Sequence, residues 1–199
     1  MTADPNTIQD ALPLEVAEPR SERVAPARFA EPRSGTPLYD LVPSPLGELL
    51  LIGDGEAVTG LFMSPHERFA QGVGKEWRRE PEALREAAEQ LAAYFAGELR
   101  EFDLPLAPRG TAFQRTVWSA LTTIPHGRTA TYGEIARSIG QPNASRAVGM
   151  ANNRNPISII VPCHRVIGAN GALVGYGGGI PRKQSLLSLE RGTGTGVNG

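Results

Sequence analysis

The sequence predicts an α+β chain of two lobes: a small antiparallel sheet carrying one helix, then a mostly helical domain that contains a helix-turn-helix pair. Short β-prone apolar runs recur between Leu38 and Phe62 with turn residues between them. One strong helical period follows over 81–95. Beyond Gly110, apolar residues return at helical spacing, and two short helical stretches are joined by a tight Gly-containing turn.

Residues 1–36 hold repeated Pro and alternating charges with few apolar runs, which predicts a disordered extension. The N-terminal lobe, 37–104, begins with strands at Leu38–Leu41, Leu49–Ile52 and Val58–Phe62. Pro43-Ser44-Pro45-Leu46-Gly47 and Gly53-Asp54-Gly55 supply the turns between them. Pro81 to Phe95 presents Leu84, Ala87, Ala88, Leu91, Tyr94 and Phe95 on one helical face, with Pro81 near the first turn and Gly97 just past the end. Glu101 to Arg109, broken by Pro105 and Pro108, reads as the linker. In the second domain, 105–191, Phe113, Val117, Trp118 and Leu121 form the face of a helix that stops before Pro125-His126-Gly127. Thr131-Tyr132-Gly133-Glu134 is a capping box opening a helix over Tyr132–Ile139. Gly140-Gln141-Pro142 turns the chain, and Asn143 or Ser145 is placed to cap a second helix running to about Asn153. Asn170-Gly171 between apolar residues is a hairpin-turn signal and predicts a wing. Residues 192–199 read as a flexible tail.

At 199 residues the chain has ample material for a core. It holds no apolar run long enough to span a bilayer, and its start lacks the apolar centre of a secretory signal, so a cytoplasmic protein with no membrane partner is expected. The formal charge of −1 conceals an asymmetry. From Gly110 onward nine Lys or Arg face only Glu134 and Glu190, a net +7, which leaves −8 on the remainder. A basic C-terminal half suits a phosphate backbone.

The only cysteine, Cys163, lies in Pro162-Cys163-His164-Arg165-Val166 at the end of an apolar run. Alone, it forms no intramolecular disulfide and supplies too few thiolates for a cysteine-built zinc site. A neighbouring imidazole, directly or through one water, is the usual means of populating a thiolate near neutral pH. Adjacent side chains on an extended strand point apart, so Cys163 and His164 can cooperate only if the chain bends after Pro162 or a water bridges them. A carboxylate on the far imidazole nitrogen fixes the tautomer. Glu134 is already explained by its capping box, which leaves Glu190.

The stretch from Gly110 to Arg191 resembles the O6-alkylguanine-DNA alkyltransferases, DNA repair proteins that move an alkyl group from guanine onto their own cysteine. The matching residues are Thr131-Tyr132-Gly133-Glu134-Ile135-Ala136, Ser145-Arg146-Ala147-Val148-Gly149 and Asn155-Pro156. They continue with Ile159 to Gly168 around the cysteine, Gly175-Tyr176-Gly177-Gly178-Gly179, and Leu186-Leu187. Leu38 to Phe102 matches more loosely. The resemblance implies a ribonuclease H-like first lobe and a winged-helix-like second domain. It also implies double-stranded DNA containing O6-alkylguanine as partner, no cofactor, and a monomeric state.

In the same way the resemblance assigns roles. The helix that starts at Ser145 would lie against the minor groove, with Ala147 and Gly149 permitting close approach and Arg146 filling the space of a flipped nucleotide. Tyr132 would stand beside that nucleotide and donate a proton toward the ring. Asn155 would brace the active-site turn. Main-chain groups at Val166 and Ile167, with the loop around Tyr176 and Gly177, would read the guanine edge. Cys163 would take the alkyl group irreversibly after losing its proton through water to His164, oriented by Glu190. Some members carry zinc or a cysteine-rich sensor domain; with one cysteine, neither is expected here. Many relatives have an aromatic at Ser185 and a His before the glutamate, where this chain has Leu189. A Cys-His-Glu hydrolase would share the thiolate but would need an oxyanion hole, and it leaves Arg146 and the helix pair unexplained. The other alternative is a non-catalytic protein that binds alkylated guanine and recruits repair factors. Such relatives replace the cysteine.

Overall fold

The structure, a computed structural model, describes residues 25–63 and 73–192. The expected extension over 1–24 and the tail from 193 lie outside these residues.

Three strands form where the turn residues leave room for them: β1 (Leu38–Val42), β2 (Leu49–Gly53) and β3 (Val58–Met63). β1 pairs antiparallel with β2, and β2 with β3. A short strand absent from the sequence reading, β4 (Arg78–Arg79), adds to β1 in parallel, so the sheet is mixed, with order β3-β2-β1-β4. β4 is exposed and made of two arginines, so its strand character comes from Pro37 and Tyr39 carbonyls accepting from Arg78 and Glu80. The inner strand β2 is buried on both faces. Leu49 and Leu51 enter the main core, while Leu50 and Ile52 pack with Phe62 in a smaller cluster backed by Tyr39 and Trp77.

After a short 3-10 turn at Glu82–Leu84, α1 (Arg85–Phe95) covers the main-core side with Ala87, Leu91 and Tyr94. The expected linker is not a free tether. Val58 donates to the Pro105 carbonyl and Ala107 to the Val58 carbonyl, both at 2.9 Å, which welds 105–107 to β3.

The second domain comprises α2 (Ala112–Leu121), α3 (Tyr132–Ser138), α4 (Ser145–Asn153) and α5 (Ile180–Glu190), with β5 (Ala130–Thr131) and β6 (Val166–Ile167) paired in parallel. Thr111 and Gln114 form a capping box at α2. The box expected at Thr131 and Glu134 is present, with Glu134 accepting from the Thr131 amide at 2.6 Å. Gly140 takes the left-handed turn conformation, φ 74°, between α3 and α4. Neither Asn143 nor Ser145 caps α4. Ala144 holds the N-cap position without a side-chain bond, its own amide tied to the Gln141 carbonyl at 2.9 Å. The Asn170-Gly171 turn forms, but the segment after it builds no strand; β6 pairs with β5 instead of closing a hairpin wing.

Residues 25–36 have no helix or strand, yet they are docked, which corrects the expectation of disorder up to residue 36. Ala27 donates to Thr122 Oγ1 at 2.8 Å and accepts from Ser119 Oγ at 2.7 Å, and Ala30 donates to the Leu106 carbonyl at 2.9 Å. Arg115 pairs with Glu31, and Arg33 with Glu56. Alternating charges, read as a sign of disorder, here find partners on both lobes.

Candidate active site

The site is assembled on the turn that leads out of β3's neighbourhood. The Leu61 amide donates to the Pro156 carbonyl at 2.8 Å, and the Ser158 amide to the Leu61 carbonyl at 3.2 Å, so the first lobe anchors the loop before the cysteine. Within that loop Asn155 Nδ2 donates to the Val161 carbonyl at 2.8 Å, and Asn155 Oδ1 accepts from the Ile157 amide at 3.0 Å. Ile159, β-branched and buried, holds φ 73° there, a conformation that needs the surrounding structure to impose it.

The chain then bends as Pro162 allows. Cys163–Arg165 form one 3-10 turn, so Cys163 and His164 do not point to opposite faces of a strand. Cys163 is 3% exposed and His164 fully buried. Glu190, at the end of α5, accepts from His164 Nε2 at 2.8 Å. It also accepts from the Tyr94 hydroxyl at 2.8 Å, the Gly127 amide at 3.1 Å, and Arg165 through Nε and Nη2. Burial acts to raise the Glu190 pKa, but the bonds from His164 and Arg165 outweigh it and hold the carboxyl well below the usual carboxylate range.

An ionised Glu190 can only accept, so Nε2 of His164 carries the hydrogen and Nδ1 presents a lone pair. That Nδ1 is buried and has no protein partner. Burial holds the imidazole below its ordinary pKa against the pull of Glu190, which keeps it neutral and able to accept a proton. Burial likewise raises the Cys163 thiol, opposed by hydrogen bonds from Asn155 and Ser158 and by the charge of Lys183.

These shifts give a stability profile. Depressed folded-state pKa values mean that the unfolded chain binds more protons than the folded one as pH falls. Stability should therefore decline from about pH 6.5, as unfolded His164 charges, joined by His126, which burial also lowers. It should decline more steeply below about pH 4.5, where unfolded Glu190 protonates. Each fully shifted group adds a slope of about 1.4 kcal/mol per pH unit. Urea midpoints between pH 8 and 4 check this; a flat profile contradicts it.

Four partners were not legible in the sequence. Arg165, counted there among cations suited to a phosphate backbone, is buried and clamps Glu190, with Nη1 on the Ile124 carbonyl at 2.6 Å. Lys183, counted likewise, is fully buried. Asn152 Nδ2 reaches the Cys163 carbonyl at 3.3 Å. Gly127, φ 73°, lies where a Cβ would come within 3.0 Å of the Glu190 carbonyl oxygen. Only the left-handed φ at Gly127, after a Pro-His stop, had a local signal.

Tyr132 heads α3, half-buried, its hydroxyl donating to the Val174 carbonyl at 3.1 Å. Burial raises its pKa, with Cys163 adding to the effect. Gly149 of α4 lies against its ring, where a Cβ would make an ordinary 3.7 Å contact. Ser145 and Ala147 are half-buried, whereas Arg146, Met150 and Asn153 form the exposed stripe of α4, continued by Arg154 just past its end. Trp118 Nε1 on the Ala151 carbonyl, 2.8 Å, fixes α4 to α2. Val166 and Ile167 follow the cysteine turn directly as β6. Gly177 is exposed. The Tyr176 side chain is buried in the core, its hydroxyl 4.0 Å from Met63 Sδ, so that its ring anchors the loop to the end of β3.

Gly175 has φ 62°, and a Cβ on it would stand 2.7 Å from the Tyr132 hydroxyl. Gly175→Ala should therefore displace that phenol from the Val174 carbonyl, which a structure of the variant checks. A Tyr132 hydroxyl left in place in Gly175→Ala would contradict the contact.

Among the described residues no group of three His, Cys, Asp or Glu side chains is placed to hold a metal ion, and no helix is long and apolar enough to cross a membrane.

Comparison with known proteins is consistent with this geometry. Residues 38–108 match the ribonuclease-like domain of 6-O-methylguanine DNA methyltransferase, and residues 112–192 match its DNA-binding domain. The chain is 57% identical over 153 residues to the Methylated-DNA--protein-cysteine methyltransferase of Methanosarcina acetivorans, covering 76% of this chain and 97% of that protein. It is also 57% identical to the protein of the same name from Mycolicibacterium paratuberculosis, covering 77% and 92%. The crystal structure of Mycobacterium tuberculosis OGT in complex with DNA superposes with a TM-score of 0.74 at 53% identity, covering 80% of this chain and 96% of that one. Both domain matches begin after residue 36, so the docked segment 25–36 precedes them. With both domains matched in order and relatives this similar over nearly their full length, the chain belongs to the 6-O-methylguanine DNA methyltransferase family.

Proposed function

We propose that this protein repairs O6-alkylguanine in double-stranded DNA by moving the alkyl group irreversibly onto Cys163, one group per molecule. The observation that carries the reading is the buried relay: an ionised Glu190 fixes the tautomer of His164, whose free Nδ1 faces the proton problem of an adjacent buried thiol. One water between Sγ and Nδ1 would complete the path. The thiol proton passes to His164, the Sγ–carbon bond forms as the carbon–O6 bond breaks, and the electron pair stays on guanine. Tyr132 offers its hydroxyl to the leaving base once that hydroxyl exchanges the Val174 carbonyl for it. The product is a thioether, and no neighbouring group is suited to expel its carbon, so the reaction stops after one event.

The exposed stripe of α4 is the DNA-facing surface, with Arg146 at the flipped nucleotide, small residues alongside, and Arg154 near the phosphates. The protein acts as a monomer in the cytoplasm and needs no cofactor, because the alkyl donor is the DNA. A titration of duplex containing O6-methylguanine tests the stoichiometry: one repaired base per protein molecule is expected, and continued turnover overturns the reading. Arg146→Ala should weaken repair of duplex by about tenfold or more while sparing reaction with the free base O6-methylguanine. Equal loss with both substrates would remove Arg146 from the DNA-facing role.

A further inference from the structure

Lys183 is fully buried, and the relay just described does not use it. It stands in the first turn of α5, the end of a helix where a positive charge is disfavoured. No salt bridge joins it to a carboxylate among the described residues. Its ammonium instead donates to the carbonyls of Val166 and Val174. These two carbonyls flank the site: Val166 follows the cysteine turn directly, and Val174 is the acceptor of the Tyr132 hydroxyl. A buried ammonium held by carbonyls alone lacks the opposite charge that ordinarily compensates its desolvation.

Asn155, Ser158, Tyr132, Tyr176 and Lys183 are the groups whose hydrogen bonds or charge bear on Cys163, and His164 follows it in the same turn. Asn155 and Ser158 carry no charge. Both phenols are held protonated by burial, and His164 is held neutral in the same way. Arg165 is spent on Glu190.

We propose that Lys183 is the counter-cation of the Cys163 thiolate, a positioning residue whose Nζ is fixed by the Val166 and Val174 carbonyls so that its charge stabilises the sulfur anion. The inference rests on Cys163 as the alkyl acceptor. It adds that His164 removes the proton while Lys183 sustains the charge left behind. Burial raises the Cys163 thiol and lowers the Lys183 ammonium, and the attraction between thiolate and ammonium opposes both shifts. Once the sulfur becomes a neutral thioether, Lys183 loses its counter-charge, and its own proton should be held less tightly.

The test uses iodoacetamide labelling of Cys163 across pH in the full-length protein, which needs no DNA. Lys183→Met should move the inflection upward by about one unit or more, lowering labelling at neutral pH about tenfold, with the rate recovering at high pH. Lys183→Arg should stay near the wild-type profile. A uniform loss at all pH with an unmoved inflection would mark a structural role and overturn the proposal. Should Lys183→Met not fold, the unmutated protein gives the reciprocal readout: the Lys183 side-chain NMR titration before and after carbamidomethylation of Cys163. A downward shift of the lysine pKa is expected, and an unchanged titration overturns the proposal. Failure to repair DNA alongside a moved inflection would defeat the repair reading while leaving the charge pair standing.

Discussion

Cys163→Ala is expected to abolish alkyl transfer from duplex O6-methylguanine while binding of the same duplex remains within about threefold of the unmodified protein. The thiol is 3% exposed and lies inside a turn held by Asn152 and Asn155, so removing one sulfur should leave the exposed stripe of α4 in place. The two effects therefore separate. Fluorescence anisotropy measures the binding and transfer of labelled methyl measures the chemistry. Residual transfer in the variant would show a second acceptor, and lost binding would show that the cysteine shapes the interface. A hydrolase would not bind the lesion at all, and a recruiting protein would bind it without transfer even when unmutated.

Glu190→Ala should have the largest effect on the fold. The carboxylate is the common acceptor for His164, Arg165, Tyr94 and Gly127, which tie the cysteine turn, α1 and the segment after α2 to the end of α5. Removing it leaves the Arg165 guanidinium buried without its anion, a change worth about 3–5 kcal/mol. It also frees the imidazole tautomer. Glu190→Gln keeps the shape but loses the charge, so it should retain more stability while slowing transfer by roughly 100-fold or more, since the amide no longer compels Nε2 to carry the hydrogen. Denaturant unfolding and single-turnover kinetics on both variants measure the two effects; a Glu190→Ala protein of unchanged stability would contradict the network.

Much of this site was legible because its signals are local. The capping box at Thr131, the glycine turn at 140, the bend after Pro162 and the strands between Leu38 and Met63 each follow from a few adjacent residues. Glu190 was reached by elimination, since the only other carboxylate after Gly110 already had a helix to cap. What escaped has no short-range signature. Arg165 and Lys183 looked like surface cations because sequence shows charge but not burial; 25 residues separate Arg165 from its anion. The parallel pairing of β5 with β6 joins segments over thirty residues apart, and β4 owes its existence to the edge of β1. The docked segment 25–36 was read as disordered because its partners, Arg115 and Ser119 on α2 and Thr122 just past its end, lie far along the chain. At α4 the chemistry of Asn143 and Ser145 suited a cap, but the turn through Gln141 and Ala144 made the start of the helix without them.

The relay also explains why a thiol raised by burial can still react. Deprotonation does not have to be complete in the resting protein; it has to be possible at the moment when the alkyl carbon is in line. Neutral His164, with one nitrogen committed to Glu190 and the other uncommitted, meets that requirement. The most direct measurement of the central claim is intact mass after incubation with duplex O6-methylguanine, followed by peptide mapping. A gain of one methyl group, located on Cys163 and never exceeding one per molecule, is the predicted result; an unchanged mass, or a methyl group on any other residue, would contradict it.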